Sequence, residues 1–356
     1  PIEWKIEEQY RAQGKDKDDV DIIQFRKECR EFALKWIDIQ REEFIRLGII
    51  GDWQNPYTTM SFNAESTIVK EFFKFVENGS LYRGSKPVMW STVEKTALAE
   101  AEIEYKEHKS TTIFVKFPIL ESPDSELNGS SVVIWTTTPW TIPGNRAIAY
   151  SKNIKYSLFE INETEENSHL KSKDRIIIAH DLEESFKELC RVKTVTKIKD
   201  IDEVGSLVCC HPFAKSGYSF DIKLYEADFV TLEQGTGFVH IAPGHGADDY
   251  ILGITNNIEV PETVDQDGFY FDHVPLFKGK KIFNDDGSDA DANVAVIIEL
   301  KNHNALAGKG SLRHSYPHSW RSKAPVIFRN TPQWFISMEK NDLRKKALKA
   351  IDDVSW

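Results

Sequence analysis

Helical patterns occupy both ends of this chain and strand patterns fill its middle, and this order restricts the fold more than any other feature of the sequence. Apolar residues recur at helical spacing over residues 21–47 and about 64–78, and Gly48 and Gly79 end these two segments. A further helical pattern covers residues 341–351. The sequence therefore predicts a mixed α/β fold in which a central domain is inserted between helical segments.

The middle of the chain is predicted to be rich in β-strands. Short apolar and β-branched runs, separated by turn-forming residues, lie at residues 111–118, 131–137, 147–150, 175–179, 206–210 and 237–241. Short helical patterns interrupt them at residues 182–190, 247–255 and 292–303. We therefore expect a strand-rich core that carries a few short helices.

The composition excludes several classes of protein. Of the 356 residues, 40% are hydrophobic, which is enough for a large core. No stretch approaches the ~18 apolar residues of a membrane-spanning helix, so no membrane partner is expected. Four cysteines without paired spacing argue against a disulfide scaffold or a zinc ribbon. The chain begins Pro-Ile-Glu-Trp with no export signal, so we expect a cytoplasmic protein of which this sequence is one segment.

The charge of the chain is unevenly distributed. The net charge is −11, yet residues 301–350 contain eleven Lys and Arg against two acids, so this segment carries +9 and the remainder −20. A basic segment on an acidic protein is typical of a surface that faces a polyanion. The alternative is an exposed helical face whose charges only interact with water.

A threonine-rich segment is the first candidate site. A strand pattern leads into Thr136, Thr137 and Thr138, and Pro139 prevents the strand from continuing. Three adjacent hydroxyls can hold a water molecule or a polar substrate, and the ring of Trp140 offers an apolar wall on which a base could stack. The alternative interpretation is a strand of β-branched residues that ends at a proline turn.

A glycine-rich loop is the second candidate site. A strand ends at His240, a Pro-Gly-His-Gly loop follows, and a helix begins near Ala247. Asp249 then lies in the first helical turn, where the helix dipole favours an ionised carboxylate that could bind an ammonium group. Two alternatives remain open: a capping acid beside a core histidine, or a metal site formed by His240, His245 and Asp249.

These two motifs resemble the editing domain of bacterial-type isoleucyl-tRNA synthetases, a class I family. The resemblance rests on WTTTPWT (135–141) with Asn145, and on GTGFVHIAPGHGADDY (235–250). It extends to PIEW (1–4), GDWQNPYTTM (51–60), KPVMW (86–90), TALAEAEIEY (96–105), HSYPHSWRSKAPVIFRNTPQWF (314–335) and LRKKAL (343–348). Thr138 stands where valyl and leucyl relatives would carry Arg. The HIGH and KMSKS signatures are absent, so this segment should not aminoacylate tRNA.

The resemblance implies a division of the chain and a fold for its centre. Residues 1–107 would be a mainly helical stem that leaves the synthetase catalytic domain, and residues 313–356 would be the returning stem. Between them, residues 108–312 would form the editing core, which is β-rich, barrel-like and decorated with short helices.

The resemblance also implies a reaction. One methylene in an apolar pocket is worth only about 1–3 kcal/mol, for which isoleucine against valine is the known example, so a second site must remove what the first accepts wrongly. That site would hydrolyse Val-tRNA(Ile), and also valyl-adenylate. The implied catalytic residues are Asp249, Thr137 and Thr138, and the implied substrate-binding residues are Thr136, Trp140, Asn145, His240 and Gly246. Asp249 would bind the α-ammonium group, and His240 would exclude isoleucine.

Partners and cofactors follow from the same resemblance. The partner would be the 3′ end of tRNA(Ile) carrying valine, and the protein would act as a monomer. No cofactor is expected in this segment, whereas a complete synthetase would use ATP and Mg²⁺. Ser91, Glu94 and Ser319 occupy places where relatives often carry zinc-type cysteines, so no metal is expected. A non-catalytic tRNA-binding module is the alternative function.

Overall fold

A computed structural model describes residues 2–355, which divide into two compact units. One unit contains the chain up to Gly84 and from Gln333 onwards, and the other contains Ser85–Pro332. The predicted division into an editing core (108–312) and two stem segments (1–107 and 313–356) is a functional one, and it stays a prediction.

Across residues 2–355 the chain forms seven α-helices, most of them where the sequence predicts helix. They are α1 Ile2–Ala12, α2 Ile22–Arg46, α3 Phe62–Glu77, α4 Glu183–Cys190, α5 Ala247–Thr255, α6 Ala292–Asn302 and α7 Leu343–Asp352. The carboxylate of Asp21 caps α2 by accepting hydrogen bonds from the backbone N–H groups of Ile23 and Gln24, each at 3.0 Å. The first helix, α1, was not predicted.

The described residues also form thirteen β-strands. They are β1 Leu81–Ser91, β2 Thr96–Ala97, β3 Ile103–Glu121, β4 Ser131–Thr136, β5 Ala147–Tyr150, β6 Tyr156–Thr164, β7 Arg175–Ala179, β8 Val192–Ile201, β9 Val208–Cys210, β10 Asp221–Glu226, β11 Val239–Ile241, β12 Leu306–Ser319 and β13 Ile327–Ile336. Among the described residues, no helix is both long and apolar enough to cross a membrane.

Ten of the strands form one sheet that closes on itself. Its order is β12-β3-β9-β10-β5-β11-β4-β7-β6-β8, and β3 also pairs with β4. This additional pairing closes β3, β9, β10, β5, β11 and β4 into a hydrogen-bonded ring. The predicted mixed α/β fold with a β-rich core and short helices is confirmed, and the six-stranded ring corresponds to its barrel-like part.

The strand register explains how the ring brings distant segments together. The strand β11 lies between β4 and β5, with Val239 opposite both Trp135 and Ala149. Because β4 leads into the threonine-rich segment and β11 leads into the glycine-rich loop, this pairing aligns the two predicted motifs. The apolar side chains of Ile113, Ile134 and Ile148 are fully buried in the core beneath them.

Glu94, at one of the positions where relatives often carry a zinc-type cysteine, has a buried carboxylate. Glu94 is only 5% exposed. Its carboxylate accepts hydrogen bonds from the Ser319 hydroxyl and from the backbone N–H of Ser322 at 3.2 Å, and it pairs with Arg321 at 3.4 Å. The hydroxyl of Ser91 accepts a hydrogen bond from the Glu94 backbone N–H at 3.1 Å. Hydrogen bonds and one ion pair therefore connect these segments.

Candidate functional site

The threonine-rich segment is shaped by its own hydroxyl groups. After β4 ends at Thr136, the chain bends and continues as a 3₁₀ helix over Pro139–Gly144. The Thr136 hydroxyl accepts the backbone N–H of Thr138 at 3.1 Å and lies 3.1 Å from the Thr138 hydroxyl. The hydroxyl of Thr141 donates to the Thr138 carbonyl at 2.8 Å. These bonds hold the turn that Pro139 makes necessary.

Thr137 differs from its two neighbours. Its side chain is partly exposed, and within residues 2–355 its hydroxyl has no hydrogen-bond partner. Together with Thr138 it lines a small pocket whose other polar walls include Asp289, Asn293 and Tyr316. Of the three threonines, Thr137 therefore has the hydroxyl that is free to bind a ligand.

His240 is fixed by two hydrogen bonds and is electrically neutral. The Asn145 side-chain nitrogen donates to the Ala147 carbonyl and to His240 Nδ1, both at 2.9 Å. Since Nδ1 accepts, the proton lies on Nε2, which donates to the Thr141 hydroxyl at 2.8 Å. The imidazole is 8% exposed, and burial lowers its pKa to about 3. The His240 ring is therefore held in one orientation and is not a base near neutral pH.

The amide of Asn145 also leaves one polar atom unused. The side chain is completely buried, and its oxygen Oδ1 has no hydrogen-bond partner among the described residues. A buried acceptor without a donor costs free energy, so a bound water or ligand hydroxyl would be stabilised at this position.

Asp249 lies in the first turn of α5, as predicted, but it does not cap that helix. Its Oδ1 atom accepts the backbone N–H of Ala242, which follows β11, at 2.7 Å. Within residues 2–355 it forms no ion pair with Lys or Arg. Burial raises its pKa from 3.8 to about 6, and the hydrogen bond from Ala242 opposes this shift. The carboxylate is thus partly buried without a cation to balance it.

Gly246 makes room for this carboxylate. It precedes α5, and a Cβ atom at this position would lie 2.1 Å from Asp249 Oδ2. No side chain can fit there unless Asp249 moves. Gly246 therefore leaves the space that the Asp249 carboxylate occupies, and its predicted substrate-binding role stays a prediction.

Trp140 does not offer the open ring that the sequence suggested. Its side chain is 3% exposed, and its ring packs edge-on against His245 with 4.8 Å between the ring centres. Its backbone N–H donates to Asn293 Oδ1 at 3.1 Å, and its carbonyl accepts from the Tyr270 hydroxyl. An indole inside the core cannot stack on a base, so here Trp140 anchors the 3₁₀ turn.

The histidines are not arranged as metal ligands. His245 Nδ1 donates to the Phe328 carbonyl at 2.9 Å, and Nε2 contacts the Thr263 hydroxyl. Both nitrogens of His240 are likewise engaged by protein groups. In the part of the chain that the structure describes, no group of three or more His, Cys, Asp or Glu residues could hold a metal ion.

The structure thus brings most of the predicted residues into one connected set. Thr141 is hydrogen-bonded to Thr138 and to His240, Thr138 contacts Thr136, and Asn145 contacts His240. Ala242, two residues after His240 in the sequence, donates its N–H to Asp249. Sequence reasoning missed Thr141 as the central link, as well as Asn293 and Tyr270, which hold Trp140 from distant segments. Only Thr141 carried a signal, since it belongs to the threonine-rich motif.

The chain belongs to the class I tRNA synthetases. The family described as tRNA synthetases class I (I, L, M and V) matches residues 1–356. Among individual proteins, the chain is 52% identical to the isoleucine–tRNA ligase of Pelagibacter ubique and 50% identical to that of Caulobacter vibrioides. Each match covers 100% of this chain and 38% of the relative, so the chain spans a little over a third of their length.

A solved structure is also similar to part of the chain. The editing domain of the Plasmodium falciparum cytosolic leucyl-tRNA synthetase matches 41% of this chain and 67% of its own, with 11% identity and a TM-score of 0.32.

Proposed function

We propose that this chain is the proofreading part of an isoleucine–tRNA ligase and hydrolyses the ester of misacylated Val-tRNA(Ile). The observation that carries the proposal is the carboxylate of Asp249, which is partly buried without a cation and is held by the N–H of Ala242, two residues after His240. An aminoacyl ester presents one ammonium group next to the bond to be broken. Relatives that are about half identical over the whole chain are isoleucine–tRNA ligases, which supports the choice of amino acid.

The ammonium group of the substrate would bind Asp249. With a pKa of about 6, the carboxylate is mostly ionised at neutral pH, and a bound cation would favour the charged form further. Losing a hydrogen bond to a charged group typically costs about 1.5–3 kcal/mol. Asp249 can therefore contribute substantially to substrate affinity.

The ester would lie along the threonine segment. The free hydroxyl of Thr137, in the pocket that it lines with Thr138, is suited to orienting the carbonyl and the attacking water. Water adds to the ester carbon, the bond to the ribose oxygen breaks, and that oxygen receives the proton. His240 is neutral with both nitrogens engaged, so we assign the rate gain to positioning, with a ribose hydroxyl as the proton carrier, and not to a histidine base.

Selectivity would be steric, because valine and isoleucine differ by one methylene and carry the same polar groups. His240 is suited to this task, since two hydrogen bonds prevent its ring from moving aside. The same proposal includes hydrolysis of valyl-adenylate, the 3′ end of tRNA(Ile) as partner, and a monomer acting in the cytoplasm. The complete ligase would use ATP and Mg²⁺ for aminoacylation.

The deciding experiment compares His240→Ala with Asn145→Ala on both Val-tRNA(Ile) and Ile-tRNA(Ile). The first change opens space for the extra methylene, so we expect hydrolysis of Ile-tRNA(Ile) to appear. The second removes one of the two hydrogen bonds but keeps the ring and its bond to Thr141, so hydrolysis of Ile-tRNA(Ile) should stay well below that of His240→Ala. Loss of valine hydrolysis in His240→Ala with no isoleucine hydrolysis would refute the steric role. A wild-type chain that binds tRNA(Ile) but hydrolyses neither ester would be the non-catalytic tRNA-binding module.

A further inference from the structure

A second pocket lies away from the threonine segment and is lined by cations. Its walls come from the loop after β6, the end of α4, the last turn of α6 and the start of β12, and they contribute His169, Arg191, Lys301 and Lys309. No acidic residue lines it. Part of its wall is Gly308, where a Cβ atom would lie 2.7 Å from the buried Cys190 sulfur, so the concave shape depends on this glycine.

The cations of this pocket have no acidic partners. Within residues 2–355, none of Arg191, Lys301 and Lys309 forms an ion pair. Other cations of the same unit are neutralised: Lys116 pairs with Asp174 at 3.1 Å, and Arg146 pairs with Glu259 at 2.9 Å. A chain with a net charge of −11 thus keeps three uncompensated positive charges around one concavity.

The cations of the predicted basic segment, residues 301–350, also fall into those that form ion pairs and those that do not. Arg321 and Lys323 form ion pairs with acids of the chain, and Arg344 pairs with Glu339. Lys301 and Lys309 remain free to attract an anion. Lys301 and Lys309 are the two cations of residues 301–350 that line this pocket, and neither is neutralised by an ion pair within residues 2–355.

The positive charges of Lys301, Lys309 and Arg191 all affect the imidazole of His169. Its imidazole is partly buried, and its pKa is lowered first by that burial and then by Lys301, Lys309 and Arg191. A cation at a helix C-terminus is often stabilised by the helix dipole. This effect explains why cations occur at Arg191 and Lys301. It does not account for Lys309, which lies on a strand, or for the concave shape.

The strand register relates this pocket to the threonine segment. Lys309 lies opposite Ile113, and Ile113 lies opposite Thr136 on the next strand. Adjacent strands are about 4.8 Å apart, so the backbone of Lys309 lies about 10 Å from that of Thr136. The strand that carries Lys309 is therefore two strands away from the strand that leads into the threonine segment.

We propose that His169, Arg191, Lys301 and Lys309 form a binding site for a phosphate group. Resting on the proposed function, we assign that phosphate to the backbone of the tRNA acceptor strand whose 3′ end lies at the threonine segment. Lysine and arginine side chains supply the charge, and the neutral imidazole of His169 supplies a hydrogen bond. Such contacts position an RNA strand without reading its sequence.

The test compares the full chain carrying Lys301→Gln with Lys309→Gln against a matched control carrying Lys215→Gln with Lys223→Gln. The control lysines are exposed, lie outside the pocket and form no ion pair among the described residues. Arg191 is left in place because it ends α4 in a left-handed conformation. Binding of tRNA(Ile) is measured as a function of salt, and inorganic phosphate is titrated while the ring NMR signals of His169 are followed.

We expect the pocket variant to weaken tRNA(Ile) binding on the order of tenfold at 0.1 M salt and to lower the slope of log affinity against log salt by about 1.4. It should also remove the response of His169 to phosphate, whereas the control should change neither. If only the phosphate response is lost, the site takes free phosphate and the RNA assignment is wrong. If both variants behave alike in both measurements, there is no phosphate site.

These outcomes are separate from the test of the proposed function. Val-tRNA(Ile) hydrolysis at saturating substrate should be retained in the pocket variant, because the pocket holds the strand and not the ester. A wild-type chain without hydrolytic activity, together with loss of tRNA binding in the pocket variant, would refute the proposed function and leave the phosphate site standing.

Discussion

Two carboxylates in this chain, Glu94, which is buried, and Asp249, which is partly buried, have opposite surroundings. Glu94 is held by a serine hydroxyl, a backbone N–H and an arginine, so its charge is balanced within the protein. Asp249 accepts one backbone N–H and has no cation partner among the described residues. A balanced carboxylate stabilises the fold, whereas an unbalanced one destabilises it and is available to a ligand. The comparison contrasts an acid whose charge is balanced within the protein with the acid that the proposed function assigns to substrate binding.

The largest effect on stability should come from Glu94→Ala. This change leaves the Ser319 hydroxyl and the Ser322 N–H without their acceptor, whereas Arg321 keeps its ion pair with Glu102. A buried polar group left without its partner typically costs about 1–3 kcal/mol. Urea unfolding should show this loss, while hydrolysis per folded molecule stays unchanged. Glu94→Gln keeps an acceptor and should lose less. A Glu94→Ala chain as stable as the wild type would remove the structural half of the comparison.

The largest effect on activity should come from Asp249→Asn. Asparagine can still accept the N–H of Ala242, so the loop keeps its anchor while the charge is lost. We expect hydrolysis of Val-tRNA(Ile) to fall at least tenfold, matching a charged hydrogen bond of about 1.5–3 kcal/mol, and Asp249→Ala should fall as far. If the asparagine variant keeps full activity and the alanine variant does not, Asp249 serves only to anchor the loop.

The pH dependence should distinguish Asp249 further. Its folded pKa of about 6 lies above the ordinary value of 3.8, so the folded chain binds this proton more tightly than the unfolded chain does. Relative to Asp249→Asn, the wild type should therefore gain about 2 kcal/mol in unfolding free energy as the pH falls from 6 to 4. Activity should instead decrease as the pH falls, because ammonium binding needs the ionised carboxylate. We expect kcat/KM to increase with rising pH, with a midpoint near pH 6. A flat profile across this range would contradict the assignment.

The sequence identified Asp249 but could not identify Glu94 as a structural acid. The first lies in a local motif in which a strand, a glycine loop and a helix follow one another, so its place in the first helical turn is predictable from neighbours alone. The partners of Glu94 are more than 220 residues away in the sequence, and no local pattern links them. The same limit applies to Trp140, whose flanking motif suggested an open ring but whose burial depends on Asn293 and Tyr270.

Strand predictions show the same dependence on distant partners. The runs at β4, β5 and β7 were found because both faces of these strands are buried and their residues are almost all apolar. The charged strand β8 was missed, since it borders the sheet and most of its side chains face water. Closure of the ring through β3 and β4 was expected from the family resemblance and not from the strand patterns themselves.

The smallest expected effects concern two hydroxyl groups of the threonine segment, one with a hydrogen-bond partner and one without. The Thr138 hydroxyl lies 3.1 Å from that of Thr136, whereas the Thr137 hydroxyl has no partner among the described residues. Thr138→Val should therefore cost about 0.5–1.5 kcal/mol of stability. Thr137→Val should leave stability unchanged and lower hydrolysis twofold to tenfold, the rate equivalent of about 0.5–1.5 kcal/mol. Thermal unfolding and single-turnover hydrolysis measure the two effects separately. If Thr137→Val destabilises the chain as much as Thr138→Val does, the Thr137 hydroxyl is structural, and it does not orient the ester.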